Sequence, residues 1–229
     1  MLGLPRLHHR LTSSTNERAK ELAQGGAPPG TLVTADEQAA GHGRQGRPWA
    51  APPHSAVLMS LVLHDFDELL PLTASVAVAE ACEAAGVNCA IKWPNDVWVD
   101  GRKVAGILVE GRPQEGWAVL GIGLNVATSS EELPEELREI ATSIEIAAGR
   151  SPSVEGALET LLSTLEARLG DPRDKVLAAW ADRDALRGRR IRWQGGEGVA
   201  CGVDDTGALL VQTPGGREAL DAGEVHLLR

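Results

Sequence analysis

Residues 41–49 read G-H-G-R-Q-G-R-P-W, and the fold turns on how this stretch is read. It contains G-x-G-x-x-G, the dinucleotide-binding fingerprint, which needs a strand running into the first glycine and a helix opening near the third. Residues 31–35 (TLVTA) have strand composition, but residues 36–40 separate them from Gly41. Downstream, residues 47–53 read RPWAAPP, which cannot carry a helix past its first turn. A doubly wound nucleotide-binding fold is therefore disfavoured. What remains is a bare glycine backbone, free to take positive φ, carrying two guanidinium groups three residues apart, Arg44 and Arg47. That combination suits a carboxylate or a phosphate. The bland alternative is a solvated loop, although a long irregular loop in a compact domain is usually functional or disordered.

Upstream, Ser14-Thr15-Asn16-Glu17 has the S-x-x-E form of a capping box and opens a helix that Gly25-Gly26 closes. Its polar side chains either cap that helix or face a ligand above its start. Gln38 follows the strand at 31–35. Residues 56–63 (AVLMSLVL) form a short apolar run, most simply a buried strand. Residues 69–85 are an alanine-rich helix stopped by Gly86. Residues 89–93 return as a strand, interrupted by the turn Pro94-Asn95-Asp96. Asp100-Gly101 then joins 97–99 to 102–109 as a hairpin. Strict alternation places Lys103 opposite Val104 and beside Ala105 and Ile107, so it either snorkels at a strand end or points into a site. In the strand at 116–126, Gly121 and Gly123 bare one face to a ligand or another strand.

Residues 131–147, 153–169 and 171–186 read as three helices; in the second, apolar residues at 154, 158, 161, 162 and 165 follow a helical period. After 186 come short alternating runs broken by Gly-Gly and Asp-Thr-Gly turns, the pattern of a small all-β barrel. The expected domains are 1–186 and 187–229, with Arg187-Gly188-Arg189-Arg190 as a solvated linker.

The 229 residues suffice for one sizeable core, and 43% hydrophobic with 24% charged residues is ordinary for a soluble globular chain. A net charge of −10 argues against a nucleic-acid or anionic-membrane surface while leaving room for a local basic site. Cys82, Cys89 and Cys201 show no paired spacing, which fits reduced thiols in a cytoplasm better than disulfides or a zinc site. The first ten residues lack a signal-peptide core, and no apolar run approaches a membrane span.

Taken in order, S-T-N at 14–16, Gln38, G-x-G-R-Q-G-R-x-W at 41–49, K-W-P-N-D at 92–96, R-K-x-A-G-I-L-V-E at 102–110 and G-I-G-L-N-V at 121–126 resemble the biotin–protein ligase family. The match in order and spacing runs from about residue 12 to residue 126. The resemblance implies an α+β catalytic domain, a mixed, largely antiparallel sheet backed by helices, followed by a small Src-homology-3-like β-barrel. It implies a ligase that joins biotin and ATP into biotinyl-5′-AMP and passes biotin to a lysine of a biotin carboxyl carrier protein. Only thirteen residues precede Ser14, so a monofunctional enzyme without the DNA-binding domain of some members is expected.

Carried over by motif, Arg44 and Lys103 match the family's residues at the biotin carboxylate, the α-phosphate and the mixed anhydride. Arg47 would assist at the phosphates, Trp49 would stack near adenine, and Mg²⁺ would ride on the ATP phosphates rather than on protein ligands. Ser14, Thr15, Asn16 and Gln38 match positions around the biotin rings; Gly41, His42 and Gly43 would contact biotin from the loop. Gly106 and Gly123 match places where a side chain would collide with biotin. Lys92, Asn95 and Asn125 match the nucleotide side. Asp96 matches an acidic position that steers or deprotonates the acceptor lysine, or else caps its turn. The family usually has Arg where this chain has His42; a backbone role leaves that harmless, a charge role makes adenylate retention pH-dependent. Lipoate–protein ligation and non-catalytic biotin or adenylate sensing are the competing functions. An exposed sheet edge could pair two subunits into a homodimer.

Overall fold

A computed structural model describes residues 2–228. In chain order its elements are β1 (Arg6–Thr12), α1 (Thr15–Gln24), β2 (Leu32–Gln38), β3 (Ala56–Leu63), α2 (Leu70–Ala84), β4 (Ala90–Lys92), β5 (Asp96–Val99), β6 (Arg102–Arg112) and β7 (Trp117–Asn125). There follow α3 (Ile144–Ala148), α4 (Val154–Leu169), α5 (Arg173–Ala181), β8 (Arg190–Trp193), β9 (Gly196–Val203), β10 (Leu209–Thr213), β11 (Gly216–Leu220) and β12 (His226–Leu227).

Strands β1 to β7 form one sheet in the order β1-β2-β3-β7-β6-β5-β4. Only β1 and β2 are parallel, joined through α1; every other pair is antiparallel. Central strand β3 is buried at all eight positions, which is why it reads as an unbroken apolar run. Its Val57, Met59, Leu61 and Leu63 belong to the large cluster with α2 and α4, whereas Val62 joins Ala19 and Ala23 of α1 on the other side. Helices α2 and α4 therefore back one face. On the other face α1 covers β2, β3 and β7, leaving β6 and β5 for a cleft.

The C-terminal unit expected as a barrel is a five-stranded antiparallel sheet in the order β11-β10-β9-β8-β12. Its Ile191, Ala200, Leu209, Val211 and Val225 join the large cluster, and Trp93 Nε1 donates to Gly207 O at 3.0 Å. Among the described residues no helix is long and apolar enough to cross a membrane.

Four expectations need correction. Residues 131–147 are not one helix: Pro134 is extended (ψ 140°), a single 3₁₀ turn follows at Glu135–Leu137, and only α3 is α-helical. The backbone there is drawn away by a distant strand, with Lys103 N donating to Ile140 O and Thr142 N to Lys103 O, each at 2.8 Å. The third helix is shorter than 171–186, because Pro172 starts it and it ends at Ala181. Ser14 is the N-cap of α1 in extended conformation, yet its side chain makes no capping hydrogen bond, and Glu17 pairs with Lys20 instead. Finally, strict alternation fails in β6. Trp98 pairs with Lys103 but Val97 pairs with Ala105, so Val104 is an extra residue in a β-bulge. The bulge turns Lys103 away from the face of Ala105 and Ile107 and sets it beside Gly106.

Candidate active site

The cleft over β5, β6 and β7 has a volume of about 240 Å³. Residues 41–49 roof it as an ordered finger rather than an irregular loop. Gly43 N donates to Arg47 O (2.7 Å), Trp49 N donates to Gly41 O (2.8 Å), and His42 bridges to Pro48. The turn at the tip needs positive φ at Gln45 (57°) and Gly46 (72°). The freedom to take positive φ is thus used at one of the three glycines; Gly41 serves close approach, since a Cβ there would lie 2.6 Å from Trp49 O. The element that follows the finger is strand β3 and not a helix, so the dinucleotide fingerprint has no structural counterpart.

Every residue expected at the site lines this cleft except Gly41, which closes the base of the finger behind it. The floor is the Gly106–Gly123 pair of β6 and β7. Cβ atoms at either position would press on the Trp49 ring, which covers that floor. Among the described residues Trp49 Nε1 is buried without a partner, a donor left over for a ligand. Lys103 Nζ stands 5.5 Å from the Trp49 ring centroid and 2.6 Å from Asp96 Oδ1. Asp96 pairs across strands with both Gly106 and Lys92, and Lys92 Nζ lies 5.2 Å from the Trp98 ring centroid.

The cations feel their surroundings unequally. Burial lowers the Arg44 guanidinium from its ordinary value, against the pull of Asp96 and Glu224. Burial likewise lowers Lys92, with Asp96 and Glu224 opposing. Arg47 is raised, because it hydrogen-bonds Glu224, a residue between β11 and β12. The C-terminal sheet thus contributes directly to the cleft, through Gly223, Glu224 and Val225.

At the end nearest α1, Thr15 N and Thr15 Oγ1 both donate to Gln38 Oε1 (2.7 and 3.0 Å), and Asn16 packs on the bare Cα of Gly121. His42 turns its ring towards Glu17 and Glu110, with Nε2 3.8 and 3.9 Å from their carboxylates. Two expected nucleotide contacts spend their amide donors on the backbone: Asn95 Nδ2 on Ile107 O (2.7 Å) and Asn125 Nδ2 on Thr142 O (3.0 Å). Sequence reasoning missed the apolar lip Leu133, Leu137 and Ile140, which it had placed on a helix. It also missed Glu224, a lone acid 177 residues from Arg47 that no local pattern distinguishes.

A mixed sheet carrying a cationic cleft under a glycine–arginine finger, followed by a small antiparallel sheet, defines an α+β ligase class of protein. Residues 8–126 match the biotin/lipoate A/B protein ligase family and residues 188–228 the biotin protein ligase C-terminal domain. The chain belongs to that family. The bifunctional ligase/repressor BirA of Bacillus subtilis is 36% identical over 99% of this chain and 75% of its own length. A biotin–[acetyl-CoA-carboxylase] ligase of Mycobacterium tuberculosis is 33% identical, covering 95% of this chain and 87% of its own. The structure of the biotin protein ligase from Aquifex aeolicus in complex with biotin and ATP superposes with a TM-score of 0.86 at 27% identity, over 98% of both chains.

Proposed function

We propose that this chain is an ATP-dependent biotin–protein ligase. A biotin carboxylate oxygen attacks the α-phosphorus of ATP, the bond to the β-phosphate oxygen breaks, and pyrophosphate leaves. The lysine amine of a biotin carboxyl carrier protein then attacks the anhydride carbonyl, releasing AMP and a proton. The observation that carries this reading is the convergence of Arg44 and Lys103 on one roofed cleft. Two anions must meet there, and fixed cations lower the cost of their approach. The finger over the cleft would shield the anhydride from water.

Arg44 and Lys103 are the proposed electrostatic pair, with Arg47 exchanging Glu224 for phosphate. Asp96 is held by Lys103, so it could accept the acceptor lysine's proton only after Lys103 turns to the anhydride. Mg²⁺ would arrive on the nucleotide phosphates and neutralise their charge. Among the described residues the convergent metal-type group is Glu17, His42 and Glu110, beside Asn16, and Lys20 already bridges both of its carboxylates. Near the cations, Asp96 and Glu224 are each paired. We take residues 1–186 as the catalytic part and 187–229 as a smaller part that completes the cleft.

The test is ATP–pyrophosphate exchange with purified protein. Exchange should depend on biotin and not occur with lipoate. Exchange with lipoate alone would make the chain a lipoate ligase, and biotin binding without exchange would make it a sensor.

A further inference from the structure

The hydrogen-bond contacts at the α1 end of the cleft outnumber the protons available to make them. Ser60 Oγ lies 2.6 Å from Asn16 Oδ1 and 2.8 Å from Thr15 Oγ1, and Thr15 Oγ1 lies 3.0 Å from Gln38 Oε1. Amide oxygens only accept, so two hydroxyl protons must serve three contacts. The usual remedy is to turn one amide so that its NH₂ donates instead. Neither amide can turn here. Gln38 Oε1 also accepts the Thr15 backbone N–H at 2.7 Å, and reversal would oppose two donors. Asn16 Nδ2 donates to Glu110 Oε2 at 2.8 Å, and reversal would oppose a carbonyl to a carboxylate. Thr15, Asn16 and Ser60 are each at most 4% exposed, so bulk water does little to relieve the shortage.

A buried cluster short of a proton presents lone pairs, and it is completed by a ligand that brings N–H donors. We propose that Glu110 is a positioning residue for substrate selection: by locking the Asn16 amide it keeps this end of the cleft acceptor-rich, favouring an acid whose ring carries N–H groups. The inference rests on the ligase reading above and deepens it. Biotin and lipoate end in the same five-carbon acid, but the ureido ring brings two N–H donors and the dithiolane ring none. A site built on paired hydrogen bonds rejects an analogue lacking them far better than an apolar pocket could.

Glu110 also pairs with Lys20, at 3.2 Å from Oε1, so a plain ion pair is the competing account of its place in the fold. The two accounts separate by mutation. In Glu110→Gln the side-chain amide can either accept from Asn16 or donate to it, so the turned Asn16 is no longer penalised. In Lys20→Met the carboxylate still accepts from Asn16.

The experiment measures KM for biotin, for desthiobiotin (which keeps the ureido ring without the sulfur ring) and for ATP in pyrophosphate exchange. Glu110→Gln should raise KM for both ring acids about tenfold, with KM for ATP and kcat within about threefold of wild type. Lys20→Met should leave KM for biotin within about twofold. Unchanged biotin KM in Glu110→Gln, an equal loss for ATP, or an equal loss in Lys20→Met would each overturn the proposal. If Glu110→Gln does not fold, Glu110→Asp takes its place: the charge is kept one methylene short, and a smaller loss confined to the ring acids is expected. Wild-type protein that shows no biotin-dependent exchange would bring down the ligase reading itself, which is a different failure.

Discussion

Lys103 shares its ammonium between Asp96 at 2.6 Å and the face of Trp49 before any substrate arrives. The Lys103 and Asp96 side chains are 33% and 21% exposed, and ion pairs this open to water contribute little to folding, about 0–1 kcal/mol. The same charge counts for more when a second anion is forced into the cleft. Removing one preorganised electrostatic contact at a reacting centre typically costs about 10²–10³ in rate. Lys103→Ala should therefore lower the exchange rate by about that factor, while biotin affinity and melting temperature change little; parallel exchange, titration and melting measurements check this. Equal losses of rate and affinity would reduce Lys103 to a binding residue. Arg44, Lys103 and Asp96 each sit in a short motif beside a turn, but it was the family resemblance that put them at one site; spacing alone left Lys103 between snorkelling and a site. Glu110 stood inside the quoted R-K-x-A-G-I-L-V-E and had no role there. Its meaning lies in Asn16, 94 residues away, and a contact of that kind has no sequence period.

Strands β6 and β7 carry the cleft floor, and their glycines divide by what surrounds them. A Cβ on Gly123 would meet the Trp49 ring first, a side chain on a finger that can lift. A Cβ on Gly111 would lie 2.8 Å from both Trp117 O and Ala118 Cα, which are backbone and cannot yield cheaply. Gly123→Ala should thus raise KM for biotin at least about tenfold with little change in stability, because it crowds the cleft and displaces the ring. Gly111→Ala should instead cost about 1–3 kcal/mol, the range for overpacking. Denaturant unfolding of both variants beside exchange kinetics checks the pair, and the reverse pattern would refute this account of the floor. Periodicity located these strands well, since β3 falls on residues 56–63 as read and Asp100 and Gly101 take the positive φ that their hairpin requires. It misplaced the Lys103 side chain, because alternation has no symbol for a bulge at Val104. It also made a helix of residues 131–147, whose glutamate-rich composition favours one. Hydrogen bonds to both sides of Lys103 outweigh that preference, and the same bonds fix the lysine's backbone at the cleft.

On the scale of the whole molecule, the finger is held by the C-terminal sheet. Arg47 reaches from the roof of the cleft to Glu224, and Val225 beside it is anchored in the large hydrophobic cluster. Arg47 and its own residual burial act in opposite directions on the Glu224 carboxyl; the guanidinium prevails, and the carboxyl is held below the usual range. A group with a depressed folded value contributes stability above its unfolded value and loses it as pH falls through the folded one. Arg47 stays charged throughout, so the finger's anchorage should be constant from neutral pH down to about 5 and should fail only further into acid. Glu224→Gln removes the charge at every pH. The amides that close the finger, Gly43 and Trp49, should then exchange with solvent about two to five times faster at neutral pH, the factor an exposed ion pair commands. Amides of β3 and β7 should be unaffected, since their ladder does not depend on the finger. After correction for intrinsic rates, the wild-type finger amides should accelerate towards the variant's as the Glu224 carboxyl protonates, while the variant shows no such step. A step of equal size in both proteins would place the pH response elsewhere, and an unchanged finger in Glu224→Gln would show that its own hairpin bonds hold it shut.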